Sequence, residues 1–276
     1  MQAEQSVREG RLQEALAELQ AQVRKEPANA KYRIFLFQLL AVLGQWERAS
    51  NQLNVLEEMD PESLPMVQTY REALRCELLR AEVFAGRRSP LIFGDPEPWM
   101  ALLLEALQLT AGGHHAQAQT ARDQAFEGAV ATAGTLDGQP FEWLADADPR
   151  LGPMLEAVIN GRYYWIPWQR IRTLALERPS DLRDYVWMPA GFTWANGGET
   201  VGLIPSRYPG SQASADPQVQ LGRKTEWLEQ ESGIYLGIGQ RMLATDQNEY
   251  PLLDIRRIDL AVPEAAPPAT TDSDDG

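Results

Sequence analysis

The sequence predicts an α+β fold, with a helical-repeat domain over residues 1–130 followed by a mainly antiparallel β domain over 131–262. Three observations predict it. A 34-residue echo opens the chain: Gly10, Leu12, Ala15, Leu19 and Pro27 recur as Gly44, Trp46, Ala49, Leu53 and Pro61. Apolar residues then keep helical spacing to about Phe126. Beyond residue 135 the pattern turns to short β-branched and aromatic runs separated by Asp-Gly, Asn-Gly and Gly-Gly signals. Thirty-four residues is the length of one helix–turn–helix unit of the tetratricopeptide type, so the first domain reads as tetratricopeptide-like. In such a unit, small residues sit where two helices approach, the bulky residue two positions after each Gly fills the space between them, and Pro stops the second helix. Units of this kind stack and present surfaces to other proteins.

Ala3–Gly10 is too short for a full first helix, so the first repeat reads as truncated. Leu12–Lys25 carries Leu12, Ala15, Leu16, Leu19 and Val23 on one face. Lys31–Leu43 and Trp46–Met59 complete the second unit. Asp60-Pro61-Glu62 is a helix start, since Asp can cap, Pro suits the first turn and Glu complements the dipole. Val67, Tyr70, Leu74, Leu78, Ala81 and Phe84 then form one stripe. A third repeat glycine is due at position 78, where Leu78 stands, so this helix reads as a closing one that has lost the pattern. Asp95-Pro96-Glu97 repeats the start signal before a helix from Trp99 to Leu109. Gly112 and Gly113 break it, Ala116–Phe126 is a further helix, and Gly128–Gly134 reads as a hinge.

Asp137-Gly138 is a hairpin signal between Leu136 and Phe141–Leu144. Leu151–Ile159 reads as a helix ended by Asn160-Gly161. Tyr163–Pro167, Thr173–Glu177 and Tyr185–Trp194 read as strands, and Asn196-Gly197-Gly198 turns the last into Thr200–Pro205. Tyr235–Ala244 is expected to pair with Tyr250–Leu260 across Asp246–Glu249. Residues 263–276, rich in Pro, Ala, Thr and Asp, read as a disordered acidic tail.

A length of 276 residues suits two domains, and 44% hydrophobic residues with eight Trp mark a globular chain. A net charge of −14 argues against nucleic acid, which needs a basic face, and against an anionic membrane surface. The single Cys76 allows no internal disulfide and fits a reducing compartment as a buried structural thiol. No signal peptide opens the chain, so a cytoplasmic location is expected.

Lys31–Leu43 is the most unusual helix: only Lys31, Arg33 and Gln38 are clearly polar. A helix apolar all round is buried on every side, so cover by neighbouring helices and the second domain is the first expectation. The functional alternative is a groove for an amphipathic partner helix. Because the first helix of a tetratricopeptide unit faces the concave side, Lys31, Ile34, Gln38 and Ala41 would be its partner-binding positions.

Asp137, Glu142, Asp146 and Asp148 are the most enzyme-like feature. Paired carboxylates can bind a divalent metal or divide acid and base roles, which gives an alternative function as a metal-dependent hydrolase or transferase using Asp146 and Asp148. Against it, the spacing is short, no His or convergent Lys set accompanies it, and Asp before Pro149 is a routine turn start. His114 and His115 are adjacent in a Gly-containing loop, too close to share one ion easily. No Walker A, dinucleotide fingerprint or nucleophile elbow is present, and Gly233-x-x-x-Gly237-x-Gly239 lacks the spacing of a phosphate loop. No catalytic residue, metal or cofactor is therefore expected. Trp143, Tyr163, Tyr164, Trp165, Trp168, Trp187 and Trp194 should chiefly form a core, with an exposed pair acting as a contact hot spot as the minority reading.

Several stretches resemble a known family. Gly10-Arg-Leu-Gln-Glu-Ala15, Phe35-Leu-Phe-Gln-Leu-Leu40 and Gly44-Gln-Trp-Glu-Arg-Ala49 resemble its helical part. Asp137-Gly-Gln-Pro-Phe-Glu-Trp143, Ala145-Asp-Ala-Asp148, Asn160-Gly-Arg-Tyr-Tyr-Trp165 and Trp194-Ala-Asn-Gly-Gly198 resemble its second part. The family is ImpE, also called TagJ, whose members are accessory proteins of bacterial type VI secretion systems. The resemblance runs from about Leu12 to Ile258 and implies a non-enzymatic, cytoplasmic role. It implies as partners the N-terminal helix of the small sheath subunit, TssB, and the disassembly ATPase ClpV.

Overall fold

The computed structural model describes residues 2–230 and 233–262; the acidic tail expected over 263–276 lies outside them. The fold is α+β. Helices α1 (Gln2–Arg8), α2 (Leu12–Lys25), α3 (Ala30–Val42) and α4 (Trp46–Met59) form two antiparallel hairpins. Gly10 and Gly44 follow α1 and α3 with φ of 78° and 67°. In both, the backbone closes alike: Arg11 N–H donates to Ser6 C=O at 2.8 Å, and Gln45 N–H to Leu40 C=O at 2.9 Å. This is the left-handed helix stop, which glycine adopts without a Cβ clash. The repeat glycines are helix stops rather than helix–helix contact points.

The same stop closes α5 (Leu64–Phe84), where Gly86 has φ 71° and Arg87 N–H donates to Glu82 C=O. With 21 residues in α5 against 13 in α3, the glycine falls at 86 instead of 78. The third unit is lengthened by about two helical turns rather than lost. After β1 (Leu91–Ile92), α6 (Pro98–Ala111) and α7 (His115–Gly128) make a further hairpin.

The rest is strand: β2 (Gly134–Leu136), β3 (Gln139–Phe141), β4 (Leu144–Asp146), β5 (Met154–Ile159), β6 (Arg162–Pro167), β7 (Ile171–Leu176), β8 (Trp187–Trp194) and β9 (Glu199–Pro205) come first. A short helix α8 (Pro217–Gln220) precedes β10 (Thr225–Glu229), β11 (Tyr235–Gly239), β12 (Met242–Thr245), β13 (Glu249–Pro251) and β14 (Arg257–Leu260). The main sheet runs β1-β6-β5-β9-β8-β7-β14-β2-β3, antiparallel except for β1 on β6. β13-β12-β4 and β10-β11 form two small sheets. The Asp137-Gly138 hairpin forms as expected, with φ of 49° and 83°, positive at both central residues as a two-residue type I′ turn requires.

Two expectations are corrected. Leu151–Ile159 is not a helix: Met154–Ile159 is strand β5, every residue buried, and Asn160-Gly161 (φ 49° and 72°) turns it into β6. A strand covered on both faces shows a continuous apolar run, which periodicity cannot tell from a buried helix. Tyr235–Ala244 and Tyr250–Leu260 also divide. β11 pairs with β10 and β12 with β13, while β14 leaves to lie between β7 and β2.

The main sheet has a core on each face. Leu155, Ala157, Ile159 and Ile166 face one that includes Leu243 and Leu252. Met154, Val158, Tyr163, Trp165, Trp187 and Leu203 face the helices and share one continuous core with Leu19, Phe37, Leu53 and Leu74. A repeat array this short cannot bury its own apolar surface, and the sheet covers it. Among the described residues no helix is long and apolar enough to cross a membrane.

Candidate functional site

The face on which a tetratricopeptide array would take a peptide is covered in part by the chain's own later residues. Of the four positions expected on it, Lys31 is exposed and Ile34 half-buried, but Gln38 is 5% exposed and Ala41 fully buried. Gln38 and Ala41 line no open groove, because the turn at Leu182–Tyr185 packs on α3, and Leu182 N–H donates to Gln38 Oε1 at 3.2 Å. Arg207 Nη1 donates to Val42 C=O at 2.9 Å, satisfying a carbonyl that the end of α3 would otherwise leave bare. Gln212 lies against Gly44, where a Cβ would stand 2.3 Å from its Cγ, and Pro217 and Gln218 lie against Gly10. Trp187 closes the seam with its ring 5.7 Å from Tyr70 and 6.0 Å from Trp46.

The acidic pair is structural in its contacts. Asp146 and Asp148 are 3% and 0% exposed. Arg241 donates from one guanidinium to Asp146 and Glu156, and Asp146 also accepts from Tyr208 Oη at 2.9 Å. Asp148 takes both Arg150 Nε at 2.9 Å and Gly237 N–H at 2.8 Å. Glu156, inside β5, receives Arg80 of α5 through Nε and Nη2, each at 2.7 Å, and the Tyr163 hydroxyl. Asp137 instead accepts from Arg256 and Arg257 N–H, and Glu142 is exposed. Among the described residues no three acidic, thiol or imidazole groups are placed to hold a metal. His114 is exposed and His115 half-buried at the start of α7. Cys76 is buried, its thiol facing Gly161 C=O and pushed up to about 12 by burial.

This buried network sets a pH dependence. Burial pushes the Glu156 carboxyl up, but Arg80 and Arg241 outweigh it and hold it at about 2, below its ordinary 4.5. A depressed carboxylate contributes stability above its unfolded value and loses it as pH falls through the folded one. Stability should therefore fall between about pH 4.5 and 2, by about 3 kcal/mol for this group. Chemical denaturation of Glu156→Gln across that window checks it: the variant should lose that part of the acid slope, and an unchanged slope would refute the assignment.

An apolar groove lies open where α7 meets the start of the strands. Arg122 of α7 donates from Nε to Pro149 C=O at 3.0 Å, which fixes the helix to the loop between β4 and β5. Phe126, one turn further on, lays its ring over Gly152. Gly152 has φ 48°, and a Cβ there would stand 2.5 Å from Phe126 Cζ, so the close approach depends on glycine. Val130 and Trp143 complete a groove of about 380 Å³ that Leu144 and Pro153 floor. Phe126, Val130 and Trp143 are 40%, 58% and 39% exposed, three large apolar side chains on one concave patch.

Of this groove, the run of aromatic residues in the sequence points to Trp143 alone. Tyr163, Trp165, Trp168, Trp187 and Trp194 are buried, and Tyr164 packs against Phe93. Phe126 reads as one more apolar residue of α7, and Val130 sits in the segment expected to be a hinge. The available signal was the break in amphipathicity: Val130 stands among Ala and Gly with no helix or strand to bury it.

A tetratricopeptide-repeat family model matches residues 6–74, and the model described as ImpE protein matches residues 138–259. The type VI secretion system accessory component TagJ of Pseudomonas aeruginosa is 55% identical over 263 residues, covering 95% of this chain and 92% of that protein. The chain belongs to the ImpE/TagJ family. A crystal structure of a Vibrio parahaemolyticus protein matches with a TM-score of 0.86 at 26% identity, covering 94% of this chain and 97% of the other. Within the ImpE/TagJ fold, the tetratricopeptide match ends midway along α5, and the ImpE match includes Trp143 and the buried acidic pair.

Proposed function

We propose that this chain is a non-enzymatic cytoplasmic adaptor of a bacterial type VI secretion system. It binds the N-terminal helix of the small sheath subunit, TssB, and helps couple the sheath to the ClpV disassembly ATPase. The observation that carries this reading is the 55% identity, along nearly the whole chain, to a protein named as an accessory component of that system. The open apolar groove is consistent with protein docking. Lys31 and Ile34 stay accessible and remain part of the proposed contact, whereas Gln38 and Ala41 are withdrawn from it. Nothing favours the metal-dependent alternative, since Asp146 and Asp148 are each paired with an arginine.

The test is recovery of TssB, intact or lacking its first helix, on the immobilised protein. Intact subunit should be retained and the truncated one recovered at least about ten-fold less well, as loss of about 1.4 kcal/mol requires. Equal recovery of both sinks the helix-binding reading. The coupling half is read separately: ClpV should co-elute more strongly when the adaptor is added to assembled sheath, and unchanged co-elution refutes it.

A further inference from the structure

We infer that the outer edge of β10 pairs with the same edge of a second copy of this chain, joining two β10–β11 hairpins into one antiparallel sheet. The inference goes beyond the adaptor reading and does not rest on it. β10 and β11 form a sheet of two strands, in register from Thr225 opposite Gly239 to Glu229 opposite Tyr235. Gln230 N–H donates to Ile234 C=O at 2.7 Å and Gln240 N–H to Lys224 C=O at 2.9 Å. The even-numbered residues of this stretch therefore turn their main-chain groups to β11, and Thr225, Trp227 and Glu229 point theirs the other way.

The two edges of the hairpin differ. On the β11 side, Gly237 N–H donates to Asp148 Oδ2 at 2.8 Å, and Gly237 C=O accepts from Arg150 Nη2 at 3.2 Å. Gly239 N–H donates to Ser211 Oγ at 2.8 Å, and Gly239 C=O accepts from Tyr208 N–H at 2.9 Å. The body of the protein closes that edge. On the β10 side, among the described residues, only the Gln230 side chain reaches back, to Glu229 C=O at 3.4 Å. Other edge strands are blunted against pairing: β3 carries Pro140, β13 carries Pro251, and β1 has two residues. β10 has five residues, no Pro and an unbroken register, and its Leu228 is 48% exposed. A sheet of two strands is marginal by itself, and further strands stabilise it.

The chemistry of β10 fits its own copy. Arg223 and Lys224, both exposed, precede the strand, and the exposed Glu229 ends it. Two antiparallel copies lay the basic end of one beside the acidic end of the other, whereas a parallel pair lays like beside like. Centred on Trp227, the two-fold register sets each Trp227 opposite its counterpart, Thr225 opposite Glu229, Glu226 opposite Leu228 and Lys224 opposite Gln230. No like charges then face each other, and the outward N–H and C=O groups of Thr225, Trp227 and Glu229 all find partners. Leu228 lies diagonal to its counterpart, within reach of a long side chain. Trp227 is held against Tyr208, ring centroids 5.8 Å apart, which seats the strand before the second copy arrives. A two-fold dimer presents every binding surface of the chain twice, which raises avidity for a repeating partner.

The test is the mass of the full chain by light scattering across a dilution series. It should rise with concentration from 30.9 kDa towards twice that value. Proline suits an edge strand where its missing N–H faces outward, so Glu229→Pro should keep the wild-type circular dichroism and weaken dimerisation at least about ten-fold. Glu229→Lys puts a lysine beside the basic end of the second copy and should weaken it more at low salt than at high salt. The register is read by cross-linking with oxidised glutathione. Mixed Thr225→Cys and Glu229→Cys chains should form a disulfide-linked dimer, because facing Cα atoms about 5.5 Å apart suit that bond, and neither variant alone should form one. The native Cys76 is buried. A chain that stays at 30.9 kDa at every concentration overturns the proposal. A dimer that Glu229→Pro leaves at wild-type strength, or that the mixed cysteines fail to link, places the contact elsewhere and overturns it too. Recovery of TssB reads the adaptor function separately from each of these results.

Discussion

Replacing Arg241 by methionine should destabilise the protein by about 3–5 kcal/mol, because it leaves buried carboxylates without their shared cation. Arg241 is fully buried, with Asp146 on one side and Glu156 on the other. Glu156 keeps Arg80, so the deficit falls mainly on Asp146, whose remaining partners are Tyr208 Oη and Asp148 N–H. The loss should appear as a fall in Tm on the order of 10 °C. A double variant that also carries Asp146→Leu should recover part of it, since a buried pair replaced as a unit leaves no orphaned charge. A single variant within about 1 kcal/mol of wild type would show that Arg241 is not the cation the cluster depends on.

The same variant has a signed pH dependence. Burial raises the Asp146 carboxyl to about 6 against the opposing pull of Arg241. A carboxyl whose folded pKa lies above its unfolded 3.8 stabilises the fold most when protonated, and that contribution is lost as pH rises through about 6. Removing Arg241 should therefore cost more at pH 8, where Asp146 is ionised, than at pH 5, where it can take a proton. An equal cost at both values would place the penalty in packing rather than in charge.

Trp187→Ala is the second large effect, at about 3–5 kcal/mol. Trp187 is fully buried, its indole N–H donates to Glu77 Oε1 at 3.0 Å, and its ring meets Tyr70 and Trp46 from two different helices. The residue therefore joins β8 to α4 and α5 at one point. Its truncation should do more than lower Tm. Because one core spans helices and sheet, the wild type should unfold in a single transition, and opening the seam should separate helical and near-ultraviolet signals in thermal melts. Trp187→Phe, which keeps most of the ring volume, should cost less than half as much. A Trp187→Ala protein that still melts in one coincident transition, with Tm within about 2 °C of wild type, would refute the seam's importance.

Much of the architecture was legible because its signals are local. Trp46–Met59 is helical to the residue, and Asp137-Gly138 makes its hairpin, since an Asp-Gly pair reaches positive φ wherever it stands. Asn160-Gly161 shows the limit of such signals. The pair marks a chain reversal either way, and only the identity of the preceding element decides between a helix end and a hairpin. Leu151–Ile159 hid that identity, because a strand with cores on both faces loses its alternation. The missing third glycine misled for a related reason: a repeat detected by fixed interval fails when one helix is longer, although the stop at Gly86 is the same.

The site was legible only in part. The composition of α3 says that it must be covered, and the Leu182–Tyr185 turn and Arg207 do cover Gln38 and Ala41, but no local pattern says by what. Asp146 and Asp148 read alike as metal ligands or as turn residues until Arg241 and Arg150 are brought beside them, and Arg241 lies far away in the chain. The groove depends on α7, its following segment and the β3–β4 connection converging, so its outline is absent from any single stretch. By itself the sequence determined most of the helices, the Asp137-Gly138 hairpin, the change from helix to sheet and the family. Tertiary structure alone decided that Gln38 and Ala41 are covered from within, that the acidic pair is matched by arginines, and that Phe126, Val130 and Trp143 share one open surface. Local signals act through a few neighbouring dihedrals, whereas burial, charge pairing and concavity depend on which distant segments meet.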